Sequence, residues 1–176
     1  MIIDSSSLII FAKINKLELL SRLYEKIYIT NEIYRETVEQ GLAINSSDAK
    51  IIKSFIDNKE IGVLKLNHPY ENFSINLRSI YSQLGIGESD AIALSLQKEN
   101  KALIIDESLG RQVAKLYNIK PIGSLRILLE AYKKEFIDEI ELKGIIKDMI
   151  RNKFRIGAEV IEEFWNYFEK IKSGKS

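Results

Sequence analysis

This sequence predicts an α/β fold in three layers, with helices covering both faces of a mainly parallel sheet and further helices at the C-terminal end. Two observations predict it. Short apolar runs at 1–3, 26–29, 62–66, 101–105 and 119–122 alternate with segments whose apolar residues recur at helical spacing. From Ser124 onward the strand-like runs stop and only helical patterns follow. A chain of 176 residues is long enough to bury a sizeable core. It is expected to be one domain, with 1–123 as the α/β core and 124–176 as a helical extension packed on it.

Met1 to Ile3 read as a first strand whose end delivers Asp4 into a turn, where a serine of Ser5-Ser6-Ser7 can cap a helix over Leu8–Ala12. Leu17, Leu20 and Tyr24 mark a second helix. Lys26 to Ile29 is a strand of β-formers. Thr30 or Asn31 then caps a helix running through Tyr34, Thr37 and Val38 to a stop at Gly41, with Glu36 in its middle. Asn45-Ser46-Ser47-Asp48 opens a helix that carries Ile51, Ile52, Phe55 and Ile56 on one face. Gly62 to Leu66 is the third strand, and Asn67-His68-Pro69 breaks into a polar loop.

A helix over Ile75–Leu84 leads to Gly85-Ile86-Gly87-Glu88-Ser89-Asp90, the turn and opening of an amphipathic helix that reaches Ser95. Lys101 to Ile105 is a buried strand ending at Asp106, and Glu107 to Tyr117 is helical. A last strand over Ile119–Ile122 is interrupted by Pro121. Three helices close the chain. They are carried by Leu125, Leu128, Leu129 and Tyr132; by Leu142, Ile145, Ile146, Met149 and Ile150; and by Val160, Ile161, Phe164, Trp165, Phe168 and Ile171.

Composition narrows the chemistry. Lys and Arg number 26 against 25 Asp and Glu, so no global basic field draws nucleic acid, although a local patch is enough to bind it. The absence of cysteine removes disulfides, thiolate catalysis and zinc–thiolate sites. The single histidine, His68, excludes a His-rich metal site and leaves a Ser-His-Asp triad without support. The opening Met-Ile-Ile-Asp shows neither a basic stretch nor a long apolar one, so no secretory signal is expected, and no apolar run approaches the roughly 20 residues that span a bilayer. The expectation is a soluble cytoplasmic protein with no membrane contact. Any hydrolysis must then rest on carboxylates, hydroxyls, Lys and Arg.

In parallel α/β sheets, ligands bind beyond the carboxyl ends of the strands. Asp4 and Asp106 each follow a strand and belong at that edge. Asp90 opens the helix that leads into the Asp106 strand, so its end returns to the same edge. Singly, an acid there caps a helix or makes a turn. Convergence of three points to a divalent cation, and oxygen ligands without His or Cys suit Mg²⁺ or Mn²⁺.

Ile2-Ile3-Asp4-Ser5-Ser6, Glu36 within a helix, Glu88-Ser89-Asp90-Ala91-Ile92-Ala93-Leu94 and Leu103-Ile104-Ile105-Asp106, in that order, resemble a PIN domain, the metal-dependent ribonuclease fold of VapC-type toxins. Ile122-Gly123-Ser124-Leu125 and Lys153-Phe154-Arg155-Ile156 are similar to a branch of prokaryotic PIN proteins. The resemblance covers nearly the whole chain. It implies that Asp4, Glu36, Asp90 and Asp106 form an acidic quartet for one or two Mg²⁺ or Mn²⁺ ions. Glu88 is a fifth carboxylate able to replace or assist Asp90, and Ser6 steadies Asp4. It also implies RNA as substrate, an antitoxin protein as partner and a homodimer. Many members carry Thr or Ser shortly before the last Asp, where this chain has Leu103-Ile104-Ile105; Ser108 is the residue expected to support Asp106 instead.

Among basic residues, Arg111 follows Asp106 by about one helical turn and can reach a phosphate there. Lys143, Lys147 and Arg151 recur every four residues, as an RNA-tracking strip or as solvated residues beside the Leu142, Ile146 and Ile150 stripe. Gly85-Ile86-Gly87 lacks the preceding strand and third glycine of a dinucleotide fingerprint. Ser6 stands where an aspartyl-phosphate enzyme needs a second acid. The competing reading of the whole is a PIN-like module that binds nucleic acid or protein without cutting it.

Overall fold

In a computed structural model, which describes residues 1–174, the chain divides into two compact units that meet in sequence between Gly123 and Ser124. The first is built on β1 (Ile2–Ile3), β2 (Ile27–Thr30), β3 (Ile61–Leu64), β4 (Ala102–Ile104) and β5 (Lys120–Ile122). All pairings are parallel, in the order β3-β2-β1-β4-β5. Parallel pairing needs a crossover between neighbours, and helices supply it. These are α1 (Ser5–Lys13), α2 (Leu17–Leu23), α3 (Asn31–Tyr34), α4 (Gln40–Ala43), α5 (Ser47–Asp57), α6 (His68–Ile80), α7 (Ile86–Gln97) and α8 (Ser108–Leu116). α7 lies against β1, β2 and β4 with α6 packed on it, while α1 packs on α5. The result is the predicted α/β arrangement of a sheet flanked by helices, with the sheet wholly parallel.

The order of the strands fixes the site. β1 is central and in register with β4, Ile3 opposite Ile104, so the residues just beyond both strands emerge side by side at the carboxyl edge. Asp4 and Asp106 are among them. Ile2, Ile3, Leu103 and Ile104 are all buried, as a parallel strand covered on both faces must be. Pro121 lies in β5, an edge strand, where a missing N–H leaves no inner ladder bond unmade.

Three local expectations are corrected. Asp4 caps α1, accepting from the Ser7 N–H at 2.9 Å, so the serines form the first helical turn and the helix begins at Ser5, ahead of Leu8. Asn67-His68-Pro69 is no loop: Asn67 is the residue before α6, and Pro69 takes the first turn, where a helix has no use for its N–H. Gly41 does not stop its helix; a Cβ there would lie 2.6 Å from that of Ala49, so its role is close approach. The stop comes at Asn45, in the left-handed region at φ 57°.

The second unit comprises α9 (Ser124–Lys133), α10 (Glu139–Arg151) and α11 (Ala158–Lys172). Tyr132 and Phe168 join α9 to α11, with ring centroids 4.9 Å apart, and Trp165 meets Phe164 and Phe168 edge-on. Lys143 and Lys172 both reach Glu139, at 2.7 and 2.8 Å. Among the described residues, no helix is long and apolar enough to cross a membrane.

Because β1 is central and Ile3 wholly buried, Ile3→Ala should lower unfolding stability by about 2–5 kcal/mol. Ile140→Ala, at a position 82% exposed, should change it by less than about 0.5 kcal/mol. Urea midpoints of the two variants against wild type check the contrast, and equal losses would refute the assignment of β1 as core.

Candidate active site

The carboxyl edge is organised by one turn of helix. Ser5, Ser6 and Ser7 follow Asp4 and fan their hydroxyls to three different acids. Ser5 donates to Glu36 Oε2, Ser6 to Asp4 Oδ2 at 2.9 Å, and Ser7 to Asp106 Oδ2 at 2.9 Å. Successive residues of a helix point about 100° apart, so three adjacent short side chains can serve three directions from one turn. That turn ties the end of β1 to the end of β4 and to the helix after β2.

Asp4 is fully buried, and its carboxyl is pushed up to about 7. Burial is the largest cause. The hydrogen bonds from Ser7 and Ser6 oppose it, and the charge of Asp106 adds to it.

Glu36 owes its place to an irregularity. Residues Arg35–Glu39, between α3 and α4, form a π-helical turn, and the Thr37 hydroxyl donates back to the Ile33 carbonyl at 2.7 Å. Across from it stands Gly87 in the first turn of α7. A Cβ on Gly87 would lie 2.8 Å from Glu36 Oε2 and nearer still to the Ser5 hydroxyl, so only glycine lets α7 come this close.

Glu88 and Asp90 lie on that same turn. Glu88 Oε2 accepts the Gly85 N–H at 2.7 Å, while Oε1 is buried without a hydrogen-bond partner beside Gly110, where a Cβ would come within 2.6 Å of it. Asp90 Oδ1 accepts the Ser74 hydroxyl at 2.5 Å and stands 3.7 Å from Arg78 Nη1. Burial raises both carboxyls above the usual range, and the negative charge of Glu36 raises both further. Glu36 thus couples electrically to both acids of the α7 turn, as Asp106 does to Asp4.

The five predicted acids therefore come to one edge, in an Asp4–Asp106 pair and a Glu36–Glu88–Asp90 group. Among the described residues, no three acidic side chains close into a cage that could hold a metal ion; the carboxylates rest on hydroxyls and backbone amides. The donor set itself fits a hard cation, being all carboxylate and hydroxyl oxygen, and the unpartnered Glu88 Oε1 is a spare acceptor within it.

Ser108 does not support Asp106. It is exposed at the start of α8 with its hydroxyl turned to Gln112, and Ser7 donates to Asp106 instead, because it is buried where β1 and β4 run together. Arg111 turns Nη1 onto the Ile105 carbonyl at 3.0 Å. A Cβ on Gly123 would lie 3.1 Å from that nitrogen and 3.3 Å from Asp106 Oδ1, so the guanidinium flanks Asp106. Lys143, Lys147 and Arg151 lie on α10 of the second unit. Lys143 pairs with Glu139 and Arg151 with Asp148 at 3.1 Å, so two of the three basic side chains have an acid on their own helix. Sequence reading missed Ser5, Ser7, Ser74 and Arg78. Only the run of three serines was a visible signal.

Asp4 binds its proton more tightly in the folded chain than in the unfolded one, whose carboxyl keeps its usual value near 3.8. The folded state therefore holds more protons between about pH 4 and 7, and stability falls as pH rises through that window, by up to about 4 kcal/mol. Asp4→Asn, which keeps a capping side chain, should flatten the fall and make the cation-free protein more stable than wild type at pH 8. Denaturant unfolding at pH 4.5 and 8 in chelator checks this; an equal pH slope in both proteins would contradict it.

A wholly parallel sheet with carboxylates gathered beyond its central strands defines an α/β domain with an acidic carboxyl edge. A family model described as PIN domain matches residues 1–170, and the chain belongs to that family. Its members are generally nucleases and typically use divalent metals. A search of curated proteins gives no match.

Proposed function

We propose that this protein is a metal-dependent endoribonuclease that hydrolyses RNA phosphodiester bonds. The observation that carries the proposal is Asp4: a wholly buried carboxyl beside a second acid, at the edge where α/β folds bind ligands, held there at a cost in stability. Capping α1 does not by itself require a second acid beside Asp4, and the Asp106 charge makes the buried carboxyl harder to ionise.

Asp4, Glu36, Asp90 and Asp106 would hold Mg²⁺ or Mn²⁺, with Glu88 as the further carboxylate. When bound, the cation supplies an activated water and offsets charge on the cleaved phosphodiester. The chain's own residues do the rest. Ser5, Ser6 and Ser7 orient three of the acids, and Arg111 offers a guanidinium to a phosphate next to Asp106. The biological setting we propose is the toxin of a toxin–antitoxin pair, inhibited by an antitoxin protein and acting as a homodimer. Val160 and Tyr167 of α11, each 51% exposed, are available to such an interface.

One observation favours a second reading, a PIN-like module that binds nucleic acid or a partner without cutting. Each of the five acids already accepts from at least one hydroxyl or amide, which is a stable arrangement without chemistry. Cleavage of a labelled single-stranded RNA in Mn²⁺ separates the two. The nuclease reading expects wild type to cut, chelator to stop it, and Asp4→Asn to lower the rate by about two orders of magnitude. Equal rates in the two proteins would reject it.

A further inference from the structure

Beside Asp90 lies a set of hydrogen bonds that the family's acids do not account for. Ser74 and Arg78 are one helical turn apart on α6, and both face the start of α7. Arg78 Nη1 donates to the Ser74 hydroxyl at 3.0 Å and to the Ser89 hydroxyl at 2.8 Å, and the two hydroxyls lie 3.0 Å from each other. Ser74 is 1% exposed, Ser89 not at all, and the Arg78 side chain 27%.

Counting protons orders the set. A guanidinium only donates, so Arg78 makes each serine oxygen an acceptor, and each hydroxyl must place its single proton elsewhere. Ser89 places its own on the Ile86 carbonyl at 2.9 Å, within its own helix. The Ser74 proton then has two destinations: the Ser89 oxygen, already served by Arg78, or Asp90 Oδ1 at 2.5 Å. The charged and nearer acceptor wins. Asp90 Oδ2 has no hydrogen bond from any described residue.

We propose that Ser74 and Arg78 are positioning residues of the acidic site: Arg78 aims the Ser74 hydroxyl at Asp90 Oδ1, which pins one carboxylate oxygen and presents the other to the cation. This deepens the nuclease reading and rests on it. The Arg78 guanidinium is fixed by its bonds to the Ser74 and Ser89 hydroxyls and by Asp90 at 3.7 Å, and its positive charge also favours the ionised carboxylate of Glu32 at the start of α3. Arg78 thus acts through Ser74 and Asp90 and touches no substrate. Outer-shell partners of this kind orient a ligand, and their loss costs about 10- to 100-fold in metal affinity.

Mn²⁺ binding to the full chain, read as loss of the free-ion resonance signal, tests the relay alongside RNA cleavage and the thermal midpoint in chelator. Ser74→Ala should bind Mn²⁺ about tenfold more weakly or worse while remaining folded. Arg78→Met, which leaves the hydroxyl present but unaimed, should weaken binding in the same direction. Asp90→Asn combined with Ser74→Ala should bind no more weakly than Asp90→Asn alone, because Ser74 acts only through that carboxylate. If wild type binds Mn²⁺ and both single variants bind it equally well, or if the losses add in the double variant, the relay is overturned and the nuclease reading stands. A wild type that neither binds nor cuts removes both.

Discussion

The hydrogen bonds from three consecutive serines to three carboxylates, made in the first turn of α1, are what the rest of the site depends on. Asp4 starts that turn by capping it, so the residue most costly to bury is also the one that aims its neighbours. Remove the cap and Ser5, Ser6 and Ser7 lose the helical spacing that sends them to Glu36, Asp4 and Asp106. The sheet order follows the same logic. With β1 in the middle, its end is the one place from which both β4 and the helix after β2 are within a serine's reach.

The site is held by opposed terms. Burial and mutual repulsion push the acids toward their protonated forms, while hydroxyls and amides donate to the ionised ones. Neither side wins outright, which leaves Asp4 titrating near neutrality. A divalent cation would relieve burial and repulsion together, and that is the physical sense in which these residues are arranged for one. Glycine makes the crowding possible, since side chains at Gly87 and Gly110 would occupy the space that Glu36 and Glu88 now fill.

Much of the fold was legible in the sequence because short β-branched runs alternate with helical stripes, and the acids stood out by following those runs. What was hidden has particular causes. Helix ends were misplaced because this chain turns with Asn, Lys and Glu at positive φ, at Asn15, Asn45, Lys59, Glu99 and Asn118, and spends glycine on close packing at Gly41 and Gly87. Glu36 was recognisable only through a resemblance, because a π-helical turn leaves no periodic trace. Ser74 and Arg78 lie on α6, which begins seven residues before the helix expected from Ile75, and nothing in sequence spacing links them to Asp90. Ser108 was chosen for Asp106 by proximity in the chain, whereas proximity in the sheet selects Ser7.

The central claim is that these acids are gathered to share a divalent cation, and calorimetric titration of wild-type protein with Mn²⁺ tests it most directly. Run at pH 6 and pH 8 in two buffers of different ionisation heat, it should show saturable binding that tightens at the higher pH, with protons released at pH 6. Absence of Mn²⁺ binding at both pH values would contradict the account.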